Sequence, residues 1–213
     1  MRVAKLVFTV ALSPIVACGG SGGSDGGTNP PPPATVSSVS LSRSTALIKP
    51  TESVSITATP RDASGNAISG KTVTWNNDNS AVASIAPNGA TVTVTGTTLG
   101  GAHITATVDQ ITSSQAQITV TNSFPATLAV DVGASGDSFT PNQADIASGA
   151  TVNFAWPSSV VHNVTWVSAP GTLPGNSGDK GQGGSFSVTL TTPGTYNYHC
   201  TIHAGMDGSI QVH

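Results

Sequence analysis

The amino-acid sequence predicts an all-β protein made of two β-sandwiches in tandem. Apolar residues alternate with polar ones in short runs, which is the period of a half-buried strand. Clusters of Gly, Pro, Asn and Asp separate these runs as turns. No segment carries the 3.6-residue apolar period of an amphipathic helix. The 213 residues suffice for two domains of about 100 residues, each with its own core.

The charge composition argues against nucleic acid as a partner. Charged residues make up 8% of the chain, and the formal net charge is -3. Loss of Arg2 and Lys5 with an N-terminal signal would lower the net charge to -5. The sequence then contains no basic run that could neutralise phosphates.

The N-terminus has the pattern of an export signal, with a positively charged start and an apolar run from Leu6 to Ala17 that is too short to span a bilayer. The stretch "IVAC", which ends at Cys18, resembles the lipobox of bacterial lipoproteins. This resemblance implies a signal peptide at residues 1–17 and a lipid bilayer anchor on an acylated Cys18. An ordinary signal peptide with a chance cysteine is the alternative. Gly19 after the cysteine favours the outer membrane, on its periplasmic or surface face.

Residues 18–34 are expected to form a disordered linker, because Gly, Ser and Pro cannot bury enough apolar surface to fold. Residues 35–122 follow with short alternating runs. Their stretches "KTVTWNNDNSAVASI" and "GTTLGGAHITATV" are similar to bacterial Ig-like domains of group 2. The resemblance implies an Ig-like sandwich with Trp75 in its core. Since no residue pattern marks a binding face, a spacer is the expected role and an adhesin the alternative.

The second sandwich is predicted to run from residue 124 to residue 213. In its strand "TYNYHC" the residues Tyr196, Tyr198 and Cys200 share one face. If the tyrosines face the core, Cys200 faces it too, and His199 faces outward. The cysteine therefore lies at the inner end of a strand, just before a short loop.

The loop after this strand carries three metal-binding side chains, Cys200, His203 and Met206, at the spacing C-x2-H-x2-M. A thiolate, two imidazoles and a weak thioether define a trigonal copper site. The second imidazole must come from elsewhere in the chain. His162, in "VVHNVTW", follows a strand of the same domain and is the candidate.

These residues resemble the cupredoxins, the blue copper fold of plastocyanin, amicyanin and pseudoazurin. The loop spacing is similar to that of amicyanin and pseudoazurin, and "FTPNQADIASGATVNFAW" and "GGSFSVTLTTPGTYNYHC" are similar to the strands that precede the ligands. The resemblance implies a Greek-key sandwich that binds one type 1 copper. It also implies that His162, Cys200 and His203 are equatorial ligands and that Met206 is the axial ligand.

The resemblance also assigns roles to three neighbours of the ligands. The backbone N–H of Asn163 is expected to donate to the thiolate, and its side chain is expected to tie the two ligand segments together near Thr201. Ile202 stands where amicyanin has a proline. Its backbone N–H is therefore available as a second donor to the sulfur, which should raise the reduction potential relative to an Ile202→Pro variant.

Three other interpretations of these residues compete with a copper site. A redox-inert sandwich would bury Cys200 as a core thiol, and a zinc site would rarely use methionine. An oxidase would place a second copper at a histidine beside the cysteine. After the ligands are assigned, only His103, His199 and His213 remain, which are too few for such a centre. We therefore expect no enzyme.

The expected function is an electron carrier, exported and lipid-anchored in the cell envelope. A copper buffer, sensor or chaperone is the alternative, although such proteins favour Met-rich and His-rich loops. Residues 124–213 hold five aspartates and one lysine, a net charge of -4. The expected partner is thus a redox protein with a basic or apolar docking face.

Overall fold

The computed structural model describes residues 34–213. The expected signal peptide at residues 1–17, the lipid attachment at Cys18 and the linker up to residue 33 lie outside the described residues. Within residues 34–213 every regular element is a β-strand, which confirms the all-β class. No helix in that part of the chain has the length and apolar character needed to cross a membrane.

The first sandwich contains nine strands in two facing sheets. One sheet has the order β1-β3-β6-β5, and the other has the order β2-β9-β7-β4, with β8 paired to β7. The strands are β1 (Ser38–Leu41), β2 (Thr45–Ile48), β3 (Ser53–Arg61), β4 (Thr74–Asn77), β5 (Ala83–Asn88), β6 (Thr91–Gly96), β7 (Gly100–Val108), β8 (Ile111–Thr112) and β9 (Ala116–Val120).

The core of this sandwich follows from the alternation seen in the sequence. Along β7 the residues Ala102, Ile104, Ala106 and Val108 are all buried, and the residues between them are more exposed. Trp75 on β4 joins the same core, and its indole N–H donates to the carbonyl oxygen of Gly89 at 3.2 Å. The tryptophan is therefore a core residue, as predicted.

The second sandwich contains eight strands. Its sheets have the orders β11-β10-β13-β15 and β12-β17-β16-β14. The strands are β10 (Thr127–Val132), β11 (Phe139–Thr140), β12 (Gln143–Ile146), β13 (Ala150–Ala155), β14 (Thr165–Ser168), β15 (Ser185–Leu190), β16 (Gly194–His199) and β17 (Asp207–Val212).

The antiparallel hairpin of β16 and β17 positions the predicted ligand loop. Its register pairs Gly194 with Val212 at one end and His199 with Asp207 at the other. The loop joins the strands at this second end. Tyr198 packs edge to face against the rings of Phe154 and Trp166 in the core. The loop therefore rests on one end of a rigid aromatic core.

Candidate metal centre

Cys200 follows β16 directly and begins the loop that leads back into β17. The thiol lies on the inner face of the sheet, where Cys200 is 3% exposed. Its backbone N–H donates to the carbonyl oxygen of Met206 at 3.0 Å, which closes the loop. Gly205 has φ +80°, a left-handed conformation that favours glycine and allows this close return. Met206 is consequently buried at the far end of the loop.

His162 is fixed through its backbone on the segment between β13 and β14. Its N–H donates to the carbonyl oxygen of Lys180 at 3.0 Å, and the N–H of Lys180 donates back at 2.9 Å. The indole N–H of Trp156, itself buried, donates to the carbonyl oxygen of His162 at 3.0 Å. Three hydrogen bonds thus hold the backbone of this residue. His162 as a whole is 1% exposed.

Gly133 packs directly against the imidazole of His162. A Cβ on Gly133 would lie 2.5 Å from Nε2 of His162 and 2.9 Å from Oγ of Ser158. The φ of Gly133 is +77°, so the backbone also favours glycine here. This glycine leaves the space that the ring occupies.

The three predicted equatorial ligands meet as a triangle. Sγ of Cys200 lies 3.9 Å from Nδ1 of His162 and 3.7 Å from Nδ1 of His203, and the three ligand atoms lie within 4.8 Å of one another. A metal with bonds of about 2.0 Å to nitrogen and about 2.3 Å to sulfur, about 120° apart, separates these atoms by about 3.7 Å. The observed spacing therefore fits one three-coordinate metal ion.

The environment of His162 favours the form of imidazole that binds metals. Burial lowers the pKa of His162, and the nearby His203 lowers it further, while the Asp137 carboxylate acts in the opposite direction. Metal ligation requires the neutral ring. With Met206 as a fourth, softer donor, the residues form a typical ligand set for a type 1 copper.

Asn163 links the two segments that carry the ligands. Its side-chain Nδ2–H donates to Oγ1 of Thr201 at 2.7 Å and to Oδ1 of Asp179 at 2.8 Å. Its Oδ1 accepts the backbone N–H of Thr201 at 3.0 Å. The side-chain link proposed from the sequence is therefore present in the structure. Donation to the sulfur by the backbone N–H groups of Asn163 and Ile202 stays a prediction.

Comparison with known families agrees with this arrangement. Residues 126–213 match the copper binding proteins of the plastocyanin/azurin family. These residues form a cupredoxin domain. Residues 35–120 match the bacterial Ig-like domain of group 2, so the first sandwich is an Ig-like domain. The Ig-like and cupredoxin resemblances are therefore confirmed.

Individual relatives match the cupredoxin part of the chain. A plastocyanin of Prochlorothrix hollandica is 40% identical over 81 residues, which are 35% of this chain and 62% of the relative. The chloroplastic plastocyanin of Oryza sativa subsp. indica is 35% identical over 83 residues, 54% of its length. The chain thus spans little more than half of these two relatives. Among solved structures, a purple cupredoxin of Nitrosopumilus maritimus is 22% identical, with 40% of this chain and 99% of that chain covered and a TM-score of 0.36.

Exposed apolar side chains and one nearby carboxylate flank the histidine ligands of the cupredoxin domain. Three large apolar side chains next to these ligands in sequence are exposed: Val160 and Val161 before His162, and Ile202 before His203. The side chain of His203 is 22% exposed, and its Nε2 lies 3.7 Å from Oδ1 of Asp137. The Asp137 carboxylate therefore places a negative charge beside the solvent-facing edge of the His203 ring.

His199 lies outside the site, although it precedes Cys200 in sequence. It is half-buried and stands opposite Thr165 and Asp207 in the sheet. The cluster of potential metal ligands in the described residues consists of His162, Cys200 and His203.

The structure adds residues that sequence reasoning missed. Gly133 and Asp137, both in the connection between β10 and β11, lie against His162 and His203. Asp179, in the connection between β14 and β15, contacts Asn163. None of them stands in a local motif, so a single sequence holds no signal for their position. Only the packing of the two sheets brings them together.

Proposed function

We propose that the chain is a blue copper protein that carries single electrons between redox partners outside the cytoplasm. A copper ion held by His162, Cys200, His203 and Met206 would supply one-electron chemistry. The observation that carries the proposal is the buried triangle of two Nδ1 atoms and one Sγ, which already has the spacing of a three-coordinate metal.

The residues around the ligands contribute rigidity. Trp156 and Lys180 fix the backbone of His162, and Asn163 ties that segment to Thr201 beside Cys200. Ligands held in this way need to move little when the charge of the bound metal changes. Burial of Cys200 and His162 also excludes water from the centre. Both properties lower the cost of reorganisation during electron transfer.

Addition of Cu(II) to the metal-free full chain tests this function. One equivalent is expected to produce an intense blue band from thiolate-to-copper charge transfer. Zn(II) serves as the matched control, since it can occupy the same ligands but has no such transition. A colourless copper complex would contradict the assignment of a type 1 site.

We further propose that electrons enter and leave at the exposed edge of His203 and that the partner presents a cation there. The apolar rim of Val160, Val161 and Ile202 allows close approach. The Asp137 carboxylate beside the ring supports a positively charged contact. The net charge of -4 on residues 124–213 acts in the same direction at longer range.

Asp137→Asn is expected to change the response to small charged reductants. At low ionic strength the ratio of the rates with hexaammineruthenium(II) and hexacyanoferrate(II) should fall by at least about fivefold, because a divalent cation within about 8 Å loses its attraction to the carboxylate. Stopped-flow bleaching of the blue band measures both rates. Using the ratio removes any common change in driving force.

Asp109→Asn is the control for this variant, since it removes the same charge from the Ig-like domain. It should leave the ratio unchanged. If the ratio for Asp137→Asn equals that of the control, the carboxylate is not part of the proposed contact. The assignment of the copper site would not be affected by that result.

The proposal places the chain on a membrane through an acylated Cys18. Support comes from the "IVAC" stretch and from the Gly- and Pro-rich residues after it, which are suited to a tether. Cys18→Ser should move the chain from the membrane fraction to the soluble fraction. Equal sedimentation of both forms with membranes would contradict the anchor.

Catalysis is not part of the proposed function. The position of His199 in the sheet supports this, because a second copper centre would need that imidazole together with several more. The proposed role is a relay in which the chain exchanges electrons and leaves its partners otherwise unchanged.

A further inference from the structure

A buried carboxylate lies where the cupredoxin domain meets the Ig-like domain. The side chain of Asp145, on β12, is 4% exposed. Its two oxygens each lie 3.2 Å from Nη2 of Arg43, and Oδ2 accepts the backbone N–H of Leu47 at 3.0 Å. Arg43 and Leu47 belong to the Ig-like domain. The cupredoxin domain therefore supplies the carboxylate, and the Ig-like domain supplies Arg43 and Leu47 as its hydrogen-bond donors.

His213 extends the same cluster from the cupredoxin side. Its Nε2 lies 3.2 Å from Oδ1 of Asp145, and its Nδ1 lies 3.0 Å from Oε1 of Glu52 in the Ig-like domain. The ring stacks on Phe124 with centroids 4.1 Å apart, and Nζ of Lys49 lies 5.5 Å from the Phe124 ring. The side chain of His213 is 2% exposed.

The backbone around this cluster is fixed as well. The N–H of His213 donates to the carbonyl oxygen of Ile146, and the N–H of Ser148 donates to the carbonyl oxygen of His213. The side-chain amide of Gln143 donates to the carbonyl oxygen of Ser42 in the Ig-like domain at 2.9 Å. The contact thus includes charged, aromatic and backbone groups from both sandwiches.

This contact lies at the end of the cupredoxin domain away from the metal. Met206 directly precedes β17 and His213 directly follows it, so the six residues of the strand separate them by about 20 Å. The Ig-like domain can therefore hold the cupredoxin domain without covering His203.

Burial of these charges depends on the docked arrangement. Burial of a carboxylate without a partner carries a large desolvation penalty, and the loss of one partner from a buried pair is strongly destabilising. The net stability from such pairs is small, but they favour one geometry over all others that leave a charge unpaired. A loosely tethered spacer would leave Asp145, Glu52 and Arg43 in water.

We propose that the Ig-like domain is a rigid platform that fixes the orientation of the cupredoxin domain, with Asp145 as the docking residue. The metal end then faces away from the platform in every molecule, rather than sampling all directions on a tether. This role is independent of the proposed electron transfer, since it depends on no metal ligand.

Backbone ¹⁵N relaxation of the full chain tests the platform. In the unaltered protein both sandwiches should share one rotational correlation time. Asp145→Lys places a positive charge opposite Arg43 and should separate the two domains. Their correlation times should then differ from each other. Each should fall by about half, because the correlation time is proportional to the volume that tumbles together. Arg43→Glu alone should do the same from the other domain.

The double variant, with Asp145→Lys and Arg43→Glu together, should restore a common correlation time because the charges are exchanged. Asp131→Lys, on an exposed position of β10, is the control and should leave the tumbling unchanged. Independent tumbling in the unaltered protein would overturn the platform. Common tumbling in folded Asp145→Lys or Arg43→Glu would overturn the role of the charged pair. A blue band that persists in a separated variant would show that the platform and the copper site are independent.

Discussion

Cys200→Ser is expected to abolish the blue band and to weaken copper binding by more than about a hundredfold. Even loss of a group that only supports a ligand weakens metal binding by about 10- to 100-fold, and the thiolate is itself a corner of the ligand triangle. A serine hydroxyl stays protonated and is a poor ligand for Cu(I). Visible absorption during titration with Cu(II) measures both effects.

His199→Asn is the matched control for the cysteine variant. It changes the residue next to Cys200 but lies outside the cluster of potential ligands. The blue band should keep its position and intensity. A band that survived in Cys200→Ser, or disappeared in His199→Asn, would mean that the ligand assignment is wrong.

Gly133→Ala is expected to damage the site without altering any ligand. The added Cβ would lie 2.5 Å from Nε2 of His162, so the imidazole must move away from the position that aims Nδ1 at the sulfur. Overpacking of this kind costs about 1–3 kcal/mol of stability. We expect a shifted and weaker blue band and a lower copper affinity, measured by competition with a chelator of known affinity.

Gly136→Ala separates the clash from backbone strain. Gly136 lies in the same connection between β10 and β11 and has φ +81°, close to that of Gly133, but a Cβ there meets no atom within 4 Å. Both variants should lose similar stability from the unfavourable φ. Only Gly133→Ala should alter the spectrum, and equal spectra in the two variants would contradict the steric role of Gly133.

The sequence predicts those parts of the structure that depend on local pattern. Period-two alternation indicates the strands, and it puts Cys200 on the inner face because Tyr196 and Tyr198 precede it. The ligand loop is predicted for a similar reason, since His203 and Met206 follow the cysteine within one tight turn. His162 is a candidate because it follows a strand of the same domain, and the family resemblance assigns it as a ligand. The structure brings it to the same end of the sandwich.

Contacts between distant segments are beyond the reach of a single sequence. Asp137 is an ordinary loop aspartate by pattern, yet its carboxylate lies beside the exposed edge of His203. Asp145 and His213 look like surface residues near a strand end, whereas both are buried against the Ig-like domain. The charged contact between the two sandwiches is visible only in the fold, because no local pattern in either sandwich indicates it.

Reversible redox cycling of the copper-loaded full chain tests the central claim most directly. Spectroelectrochemistry should show a single one-electron wave, with the blue band bleached on reduction and fully restored on oxidation, and with no copper released over repeated cycles. Copper lost on reduction, or a band that does not return, would contradict an electron carrier and would favour a protein that only stores or delivers the metal.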